Sequence, residues 1–357
     1  TRAMPVVWLI DAYRAGERSQ VRALIEALAW PCETRQLDYR KWDVLTHLLP
    51  GGSLRGIRRA SRESLQPPWP DLVISCGVRN EPVCRWIRAQ SGGRTRYVHL
   101  GRPWADPSAF DLVITTPQYR VPDRPNVVRN TLTLHQVTQP RMAQGASEWA
   151  DTWGDLPRPF TGVLVGGDSG PFTLGPKAAA RLARQASQVA RDTGGSLLVT
   201  TSSRTSARAS RALLNALDAP HYFHAWQPDR GVQPGANPYW GILGTADRFI
   251  VTADSIAMLS ETCASGKPVE MFDLGGMHTP AAGPRDFRLG GSLYQALIRW
   301  GWGPLTRDIT RVHEELVATG RAAWLGGQRQ PRRADATSDM ERALRAVKGL
   351  FDQLDTT

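Results

Sequence analysis

The sequence predicts an α/β protein of two domains, each built on a mainly parallel sheet, and three observations favour this class. The chain of 357 residues has the length of two ordinary domains. Short apolar runs typical of buried parallel strands alternate with segments of helical periodicity in both halves. Residues 248–274 read as a complete strand–helix–strand unit, because N-cap residues follow an apolar run and Gly266 and Pro268 end the helix.

The N-terminal half predicts five strands, at residues 6–10, 70–77, 96–100, 111–115 and 126–130. A loop and then a helix follow the first strand, as in a Rossmann-like domain, although the G-x-G-x-x-G dinucleotide fingerprint is absent. Sites in such domains lie at the carboxyl ends of the strands. Six residues that follow the first two strands are therefore expected to line a cleft: Asp11, Gly16, Glu17, Gly77, Arg79 and Asn80.

Residues 39–62 form a basic, amphipathic stretch that contains Trp42 and is interrupted at Gly51–Gly52. Such a stretch is typical of a segment that rests on anionic lipid, although a core-facing helix with a solvated basic face fits the same pattern.

The net charge is unevenly distributed along the chain, at +8 for residues 1–150 and +3 for residues 151–357. The N-terminal half is therefore expected to face an anionic partner, namely a phospholipid surface or a phosphorylated glycolipid. Nucleic acid is not expected, because no recognised motif is present and few aromatic residues interleave with the basic run.

The four cysteines have no metal-ligand spacing, which predicts reduced, buried thiols in a cytosolic protein. No window approaches 18 unbroken apolar residues, and the N-terminus lacks the pattern of a signal peptide. We therefore expect a cytoplasmic protein that contacts the inner membrane peripherally.

In the C-terminal half, residues 138–159 are polar and lack a strong period, which predicts an inter-domain linker. Two further strands are predicted at 160–165 and 196–200, and each is followed by residues suited to phosphate binding. These residues are Gly166, Gly167, Ser169, Thr201, Ser202, Ser203 and Arg204. The residues after the second strand could equally well be a cluster that caps the next helix. Asn237 and Tyr239 precede a helix predicted at 239–245, and a last amphipathic helix is predicted at 338–354.

The helix that starts after Thr252 offers the most specific site in the sequence. A helix N-terminus has free N–H groups and a partial positive charge, so it binds anions. Thr252 and Ser255 add hydroxyl donors, and Glu261 lies where a carboxylate could accept two ribose hydroxyls. An ordinary capped helix with a solvated glutamate is the alternative interpretation.

The run TADSIAMLSETCASGKPV (252–269) resembles the donor-binding segment of GT-B glycosyltransferases. It is more closely similar to the mitochondrial-fission-protein-like (elongated-mitochondria) family and its bacterial relatives. Residues 70–80, 163–172, 195–205 and 236–255 resemble the same family in the same order, over about residues 5 to 300. The resemblance implies the GT-B fold, which is two Rossmann-like domains with a cleft between them. The expected domains are 1–137, a linker at 138–159, a nucleotide-sugar domain at 160–325, and a helix at 338–354 that crosses back to the first domain.

The resemblance also implies an inverting glycosyltransferase that uses a nucleotide-sugar, with a UDP-sugar favoured, and needs no cofactor or metal. The acceptor would be a glycolipid or an envelope polysaccharide of the lipopolysaccharide type, at the inner membrane face. The Gly16–Glu17 pair resembles the Gly-Glu of Kdo transferases, which implies Glu17 as general base with Asp11 as second candidate; a glutamate favoured by the helix dipole is the alternative. The donor-side residues are Gly166, Gly167, Ser169, Thr201, Ser202, Ser203, Arg204, Asn237, Tyr239, Thr252, Asp254, Ser255, Met258 and Glu261.

Two other functions fit the same resemblance. One is a non-catalytic membrane-associated factor of the kind that acts in organelle division. The other is a nucleotide-sugar 2-epimerase, in which Asp11, Glu17 and Glu81 would serve as acid–base groups.

Overall fold

The computed structural model describes residues 4–12, 15–41, 48, 50–228, 237–275, 284–301, 303, 306–330 and 338–352. The chain forms two compact units, which we call unit 1 (residues 1–136 and 335–357) and unit 2 (residues 137–334). Within the described residues, the strands in chain order are β1 Val7–Ile10, β2 Cys32–Arg35, β3 Leu72–Cys76, β4 Arg96–Leu100, β5 Leu112–Thr115, β6 Val127–Arg129, β7 Phe160–Leu164, β8 Ser196–Thr200, β9 His221–His224, β10 Arg248–Thr252, β11 Val269–Phe272 and β12 Ala323–Trp324. The helices of the same residues are α1 Ala15–Leu28, α2 Arg59–Glu63, α3 Glu81–Gln90, α4 Gln139–Trp149, α5 Pro176–Thr193, α6 Ala207–Ala216, α7 Tyr239–Thr245, α8 Ile256–Ala264, α9 Leu289–Trp300, α10 Thr310–Ala318 and α11 Asp339–Asp352.

Unit 1 is a parallel six-stranded sheet in the order β2-β1-β3-β4-β5-β6. Successive residues of a strand point to opposite faces, so β1 places Leu9 on one face and Trp8 on the other. Leu9 packs in one core with Leu24 of α1 and Val347 of α11, whereas Trp8 packs in a second core with Ile87 of α3. Burial of each such side chain contributes about 1.5–3 kcal/mol to the free energy of folding. Burial of Val347 therefore holds α11 against the sheet of unit 1.

Helix α1 begins earlier than the sequence predicts. Its first residue is Ala15, so Gly16 and Glu17 lie in the first helical turn and not in the expected loop. Strand β2 was not predicted, because its CETR sequence has no apolar run. Among the described strands it pairs only with β1, and it lies at the sheet edge, where polar side chains are tolerated.

Part of the basic segment 39–62 is built into the core of unit 1. Tyr39 forms an antiparallel bridge with Ile57, and Ile57 is fully buried in the core beside Leu54. These contacts bury Ile57 inside unit 1, whereas Leu48 is 52% exposed, and arginines such as Arg55 and Arg58 are exposed as well. Residues 42–47 and 49 of the predicted segment lie outside the described residues.

Unit 2 is also a parallel six-stranded sheet, in the order β12-β11-β10-β7-β8-β9. The segment expected to be a linker, residues 138–159, contains α4 and belongs to this unit. The sequence does signal the helix, because Thr138 caps it and Pro140 lies in its first turn. Helix α4 packs so closely on α7 that a Cβ on Gly145 would lie 2.5 Å from the Trp240 backbone.

In the described part of the chain, no helix is both long enough and apolar enough to cross a bilayer. The four cysteines are unbridged, and three of them are buried.

Candidate functional site

The candidate site of unit 2 lies where its strand order reverses. Strands β8 and β9 lie on one side of β7, and β10 lies on the other, so the carboxyl ends of β7 and β10 form a topological switch point. Open α/β sheets bind ligands at such points, because the loops that leave the two strands diverge and open a crevice. The loops after β7, β8 and β10 carry most of the residues that the sequence assigned to a donor site.

The glycine pair after β7 packs against the chain itself. The Gly166 N–H donates to Oγ1 of Thr252 (2.8 Å), and the Gly167 N–H donates to Oδ2 of Asp254 (3.0 Å). A Cβ on Gly166 would lie 2.2 Å from the Asp254 carboxylate, and one on Gly167 would lie 2.0 Å from the Arg204 carbonyl oxygen. The backbone of the two glycines therefore does approach its neighbours closely, as the sequence predicts. Their N–H groups, however, donate to Thr252 and Asp254 and are not available to bind a phosphate.

Asp254 is the central group of the site. It is buried, and its Oδ2 lies 2.7 Å from a guanidinium nitrogen of the partly exposed Arg204. Its Oδ1 is buried with no hydrogen-bond partner among the described residues. The ion pair holds Arg204 beside the switch point, and the second carboxylate oxygen could accept a hydrogen bond from a ligand.

The hydroxyl cluster after β8 is mainly structural. Thr201 accepts a hydrogen bond from the Trp226 N–H (2.8 Å), and Ser202 donates to the Gly166 carbonyl (3.2 Å). Ser203 is exposed. The sequence predicts a diphosphate contact for the whole cluster, but only Ser203 and Arg204 present their side chains to solvent.

The N-terminus of α8 lies at the switch point, where Ser255 and Ile256 are buried. Thr252 is fully buried and braces the glycine loop, while Ser255, the N-cap residue, makes no side-chain capping bond to the helix. The first N–H groups of a helix have no intrahelical partner, so this end of α8 has donors for an anion. Met258 is half-buried in the first turn.

Farther along α8, Glu261 accepts a hydrogen bond from the Tyr239 hydroxyl of α7. Burial raises the pKa of Glu261 to about 7, and the Tyr239 hydrogen bond and the charge of Arg141 offset part of that rise. Asn237 is exposed and accepts a hydrogen bond from the Tyr239 N–H (3.0 Å), so its side chain supports the start of α7. Arg141 was missed by sequence reasoning because it lies in the segment expected to be a linker.

The loop that follows the glycine pair is braced by two arginines that the sequence did not single out. Arg307 donates to Oγ of Ser169 (2.5 Å). Arg288 donates to the carbonyl oxygens of Gly170 (2.6 Å) and Phe172 (3.1 Å). Both arginines follow Ser169 by more than 100 residues, so no local pattern could have linked them to it.

The corresponding switch point of unit 1, between β1 and β3, is closed by Asn80. Its fully buried amide donates to the Asp11 carbonyl (3.2 Å) and to Oγ of Ser75 (2.7 Å), and it accepts from the Tyr39 hydroxyl. The sequence predicts that Asn80 lines a cleft. In the structure it is buried instead, and its hydrogen bonds connect the end of β1 to the end of β3. Asp11 is also buried, with Oδ2 3.3 Å from Nε of Arg18.

The other residues predicted in unit 1 lie in different surroundings. Glu17 is half-buried in the first turn of α1, and Gly16 beside it is exposed. Gly77 directly follows β3 with a φ of 92°, and Arg79 is half-buried in the short turn after it. Thus Glu17 is more accessible than Asp11.

Glu81, considered as an acid–base group, is fully buried at the start of α3. It accepts hydrogen bonds from the N–H groups of Trp104 (2.5 Å) and Ala105 (3.1 Å). Burial raises its pKa to about 7. In the described ranges, no three His, Cys, Asp or Glu side chains cluster in a way that could hold a metal ion.

Two parallel six-stranded Rossmann-like units define the GT-B class, which glycosyltransferases share with nucleotide-sugar epimerases. A UDP-glucosyltransferase from Polygonum tinctorium has the same fold, with a TM-score of 0.51 and 10% sequence identity over 99% of this chain and 100% of that chain. At this identity the similarity establishes the fold alone.

The chain belongs to the mitochondrial fission ELM1 family, whose model matches residues 15–285. The mitochondrial fission protein ELM1 of Arabidopsis thaliana is 30% identical over 238 residues, which are 60% of this chain. The chain spans about half (54%) of the length of that relative. An uncharacterized protein of Rickettsia prowazekii is 28% identical over 298 residues, which cover 74% of this chain and 82% of that protein.

Proposed function

We propose that the chain is a GT-B glycosyltransferase that moves a sugar from a nucleotide-sugar donor, preferably a UDP-sugar, to an acceptor hydroxyl. The observation that carries the proposal is the N-terminus of α8, which lies at the β7–β10 switch point without a side-chain cap, with Glu261 farther along the same helix. An anion site and a carboxylate on one helix match the two polar parts of a nucleoside diphosphate, its phosphates and its ribose.

The donor diphosphate would lie against the first N–H groups of α8, the Ser255 hydroxyl and the free side of the Arg204 guanidinium. Ser255 makes no capping bond, and Arg204 is held in place by Asp254. The ribose hydroxyls would donate to Glu261. A helix dipole and a guanidinium stabilise the charge that develops on a leaving diphosphate, so this arrangement does not require a metal.

Transfer would proceed by a single displacement that inverts the anomeric carbon. The acceptor oxygen bonds to that carbon, the bond to the diphosphate oxygen breaks, and the acceptor proton passes to a base as the nucleoside diphosphate leaves. We assign the base to Glu17, because Asp11 is buried and paired with Arg18. The acceptor would be a glycolipid or envelope polysaccharide, such as a lipopolysaccharide precursor, at the cytoplasmic face of the inner membrane. The exposed arginines of residues 39–62 would attract its anionic groups.

The first test is a thermal-shift screen of the whole chain with UDP, GDP, CMP, ADP and dTDP. A ligand of the native state at a hundredfold excess over its Kd stabilises it by about 2.7 kcal/mol, so one nucleotide should raise Tm. The Glu261→Gln variant should lose most of this rise. Glu314→Gln, which changes an exposed glutamate of α10, is the matched control and should keep it. No rise with any of the five nucleotides would overturn the proposal.

The base assignment has a separate test. Glu17→Gln should lower turnover by about 10²–10⁴-fold while nucleotide affinity stays within twofold, because general base catalysis acts on the chemical step. Unchanged turnover in this variant would show that Glu17 is not the base.

A non-catalytic membrane-associated factor is the second candidate, favoured by membership of a family named for mitochondrial fission. If the chain is such a factor, none of the five nucleotides should raise its Tm. An epimerase is less well supported, because Glu81, one of its three acid–base groups, is fully buried and already accepts two backbone hydrogen bonds.

A further inference from the structure

Helix α9 of unit 2 exposes a continuous apolar face. Leu289, Leu293, Leu297 and Trp300 follow one another at spacings of four, four and three residues, which places them on one side of the helix. They are 65%, 59%, 47% and 77% exposed, and Phe287, just before the helix, is 79% exposed. These five residues, the α9 apolar face, make up half of the ten large apolar side chains that are exposed in the described part of the chain.

Basic residues frame this apolar face at both ends. Arg285 is exposed before the helix, and Arg299 is exposed at its end with its guanidinium 5.2 Å from the ring centre of Trp300. From Arg285 to Gly301 the sequence contains three arginines and one acidic residue, Asp286, whose carboxylate accepts hydrogen bonds from the N–H groups at the start of α5. Each end of the apolar stripe thus carries one aromatic residue and one arginine. This pattern is typical of a helix at the boundary between lipid headgroups and acyl chains.

The opposite side of α9 packs on the braced loop after β7. A Cβ on Gly170 would lie 3.0 Å from the Tyr294 ring, and one on Gly291 would lie 3.0 Å from the Pro171 carbonyl. Arg288, at the start of α9, donates to the carbonyl oxygens of Gly170 and Phe172. The helix is therefore fixed to unit 2 by one side while its apolar side faces solvent.

We propose that α9 docks unit 2 onto an anionic lipid surface, with its apolar face in the acyl boundary and Arg285 and Arg299 among the headgroups. Twelve residues of α-helix extend about 18 Å, which is well short of the roughly 30 Å hydrocarbon core. The helix would therefore lie in the plane of the membrane surface.

Charge favours lipid over a second copy of the chain as the occupant. Two α9 faces packed on each other would bring exposed arginines of both copies together on chains of net charge +11, and like charges at an interface are unfavourable. An anionic bilayer complements the same arginines and accepts all five apolar side chains.

Docking in this way would place the bilayer about one helix diameter, roughly 10 Å, from the loop that leads to the candidate donor site. The loop that α9 packs on contains Ser169 and follows Gly167 directly, and Gly167 is bonded to Asp254. The lipid-docking proposal does not rest on glycosyl transfer, because vesicle binding and nucleotide binding are measured separately and either can fail alone.

The test is flotation of the full chain with vesicles of phosphatidylcholine alone and with an equal share of phosphatidylglycerol. Wild type should float with the anionic vesicles and much less with the neutral ones. The Leu293→Glu/Leu297→Glu variant should bind anionic vesicles at least tenfold more weakly. Leu214→Glu, which changes another exposed leucine of unit 2 on α6, should bind like wild type.

Arg285→Ser/Arg299→Ser separates charge from apolar insertion. This variant should show weaker binding and a smaller dependence on salt, because screening weakens exposed charge contacts. Wild-type chain that stays unbound to anionic vesicles, or a leucine variant that binds as well as wild type, would overturn the proposal. A concentration-dependent dimer that the leucine variant abolishes would instead assign the face to a second copy.

Discussion

The two units have the same parallel architecture, but their switch points are built differently. In unit 1 the buried amide of Asn80 connects the ends of β1 and β3 through hydrogen bonds to the Asp11 carbonyl and to Ser75. In unit 2 Thr252 and Asp254 hold the glycine loop, and the N-terminus of α8 is left without a side-chain cap. Polar residues at a strand end can therefore serve stability or ligand binding, and the difference lies in whether their hydrogen bonds are already made inside the unit.

The two glutamates with a raised pKa show the same contrast. Burial raises the pKa of both Glu81 and Glu261 to about 7. Glu81 is fully buried and holds the loop after β4 through two backbone N–H groups, whereas Glu261 is partly exposed and is held by the Tyr239 hydroxyl. A raised pKa therefore does not by itself distinguish a structural carboxylate from a ligand-binding one.

The largest effect expected from this comparison is on the stability of unit 1. Asn80→Ala should lower the free energy of unfolding by about 3 kcal/mol, because it leaves several buried polar groups without partners. Urea unfolding of the whole chain checks this, with Asn215→Ala on the exposed side of α6 as the matched control. Nucleotide affinity should stay within twofold of wild type. A tenfold loss of affinity without loss of stability would instead assign Asn80 to a binding site.

The second effect is a pH dependence of stability that arises from Glu81. Its pKa is raised on folding from 4.5 to about 7, so the folded state keeps a proton that the unfolded state releases. This contribution is fully present below about pH 4.5 and is lost as the pH rises through about 7, and it amounts to roughly 3 kcal/mol. Urea unfolding at pH 5 and pH 8 should show this fall in wild type and a smaller fall in Glu81→Gln. Equal falls in the two proteins would contradict the assignment.

The third effect tests whether the switch point of unit 2 binds the nucleotide. Gly166→Ala should weaken nucleotide binding more than tenfold and cost about 2 kcal/mol of stability, since the added methyl group would displace the Asp254 carboxylate. Calorimetric titration and urea unfolding measure the two quantities. Gly349→Ala in α11 is the control, because its added methyl group meets nothing within 4 Å and should stabilise the helix by about 0.5–1 kcal/mol. Normal nucleotide affinity in Gly166→Ala would move the donor site away from this loop.

The smallest effect is on the pH profile of donor binding. Ribose hydroxyls donate to the ionised form of Glu261, whose pKa is about 7, so nucleotide affinity should rise about tenfold between pH 6 and pH 8. Titration calorimetry at several pH values should show this rise in wild type and a flat profile in Glu261→Gln. A rise of the same size in the variant would assign the titration to another group.

The class of the fold and most strands of both sheets could be predicted from the amino-acid sequence. Apolar runs such as those of β3, β7 and β10 are long enough to mark buried parallel strands, and the cap and stop signals around α8 delimit one complete unit. The sequence also predicted that the loops after β7, β8 and β10 of unit 2 lie near one another, because the carboxyl ends of parallel strands meet at one edge of a sheet. It missed β2 and α4, whose stability comes from pairing with β1 and packing on α7 and not from a local apolar pattern.

The folded structure determines which polar groups are already used in internal hydrogen bonds. Partners distant in sequence use the N–H groups of Gly166 and Gly167, the amide of Asn80 through the Asp11 carbonyl, and the carboxylate of Glu81, which spacing along the chain cannot reveal. It also decided which apolar side chains face solvent, burying Ile57 of the expected lipid-binding segment and exposing Leu293 of α9. The physical reason is that a hydrogen bond or a buried surface requires two partners, and the fold alone determines which residues meet.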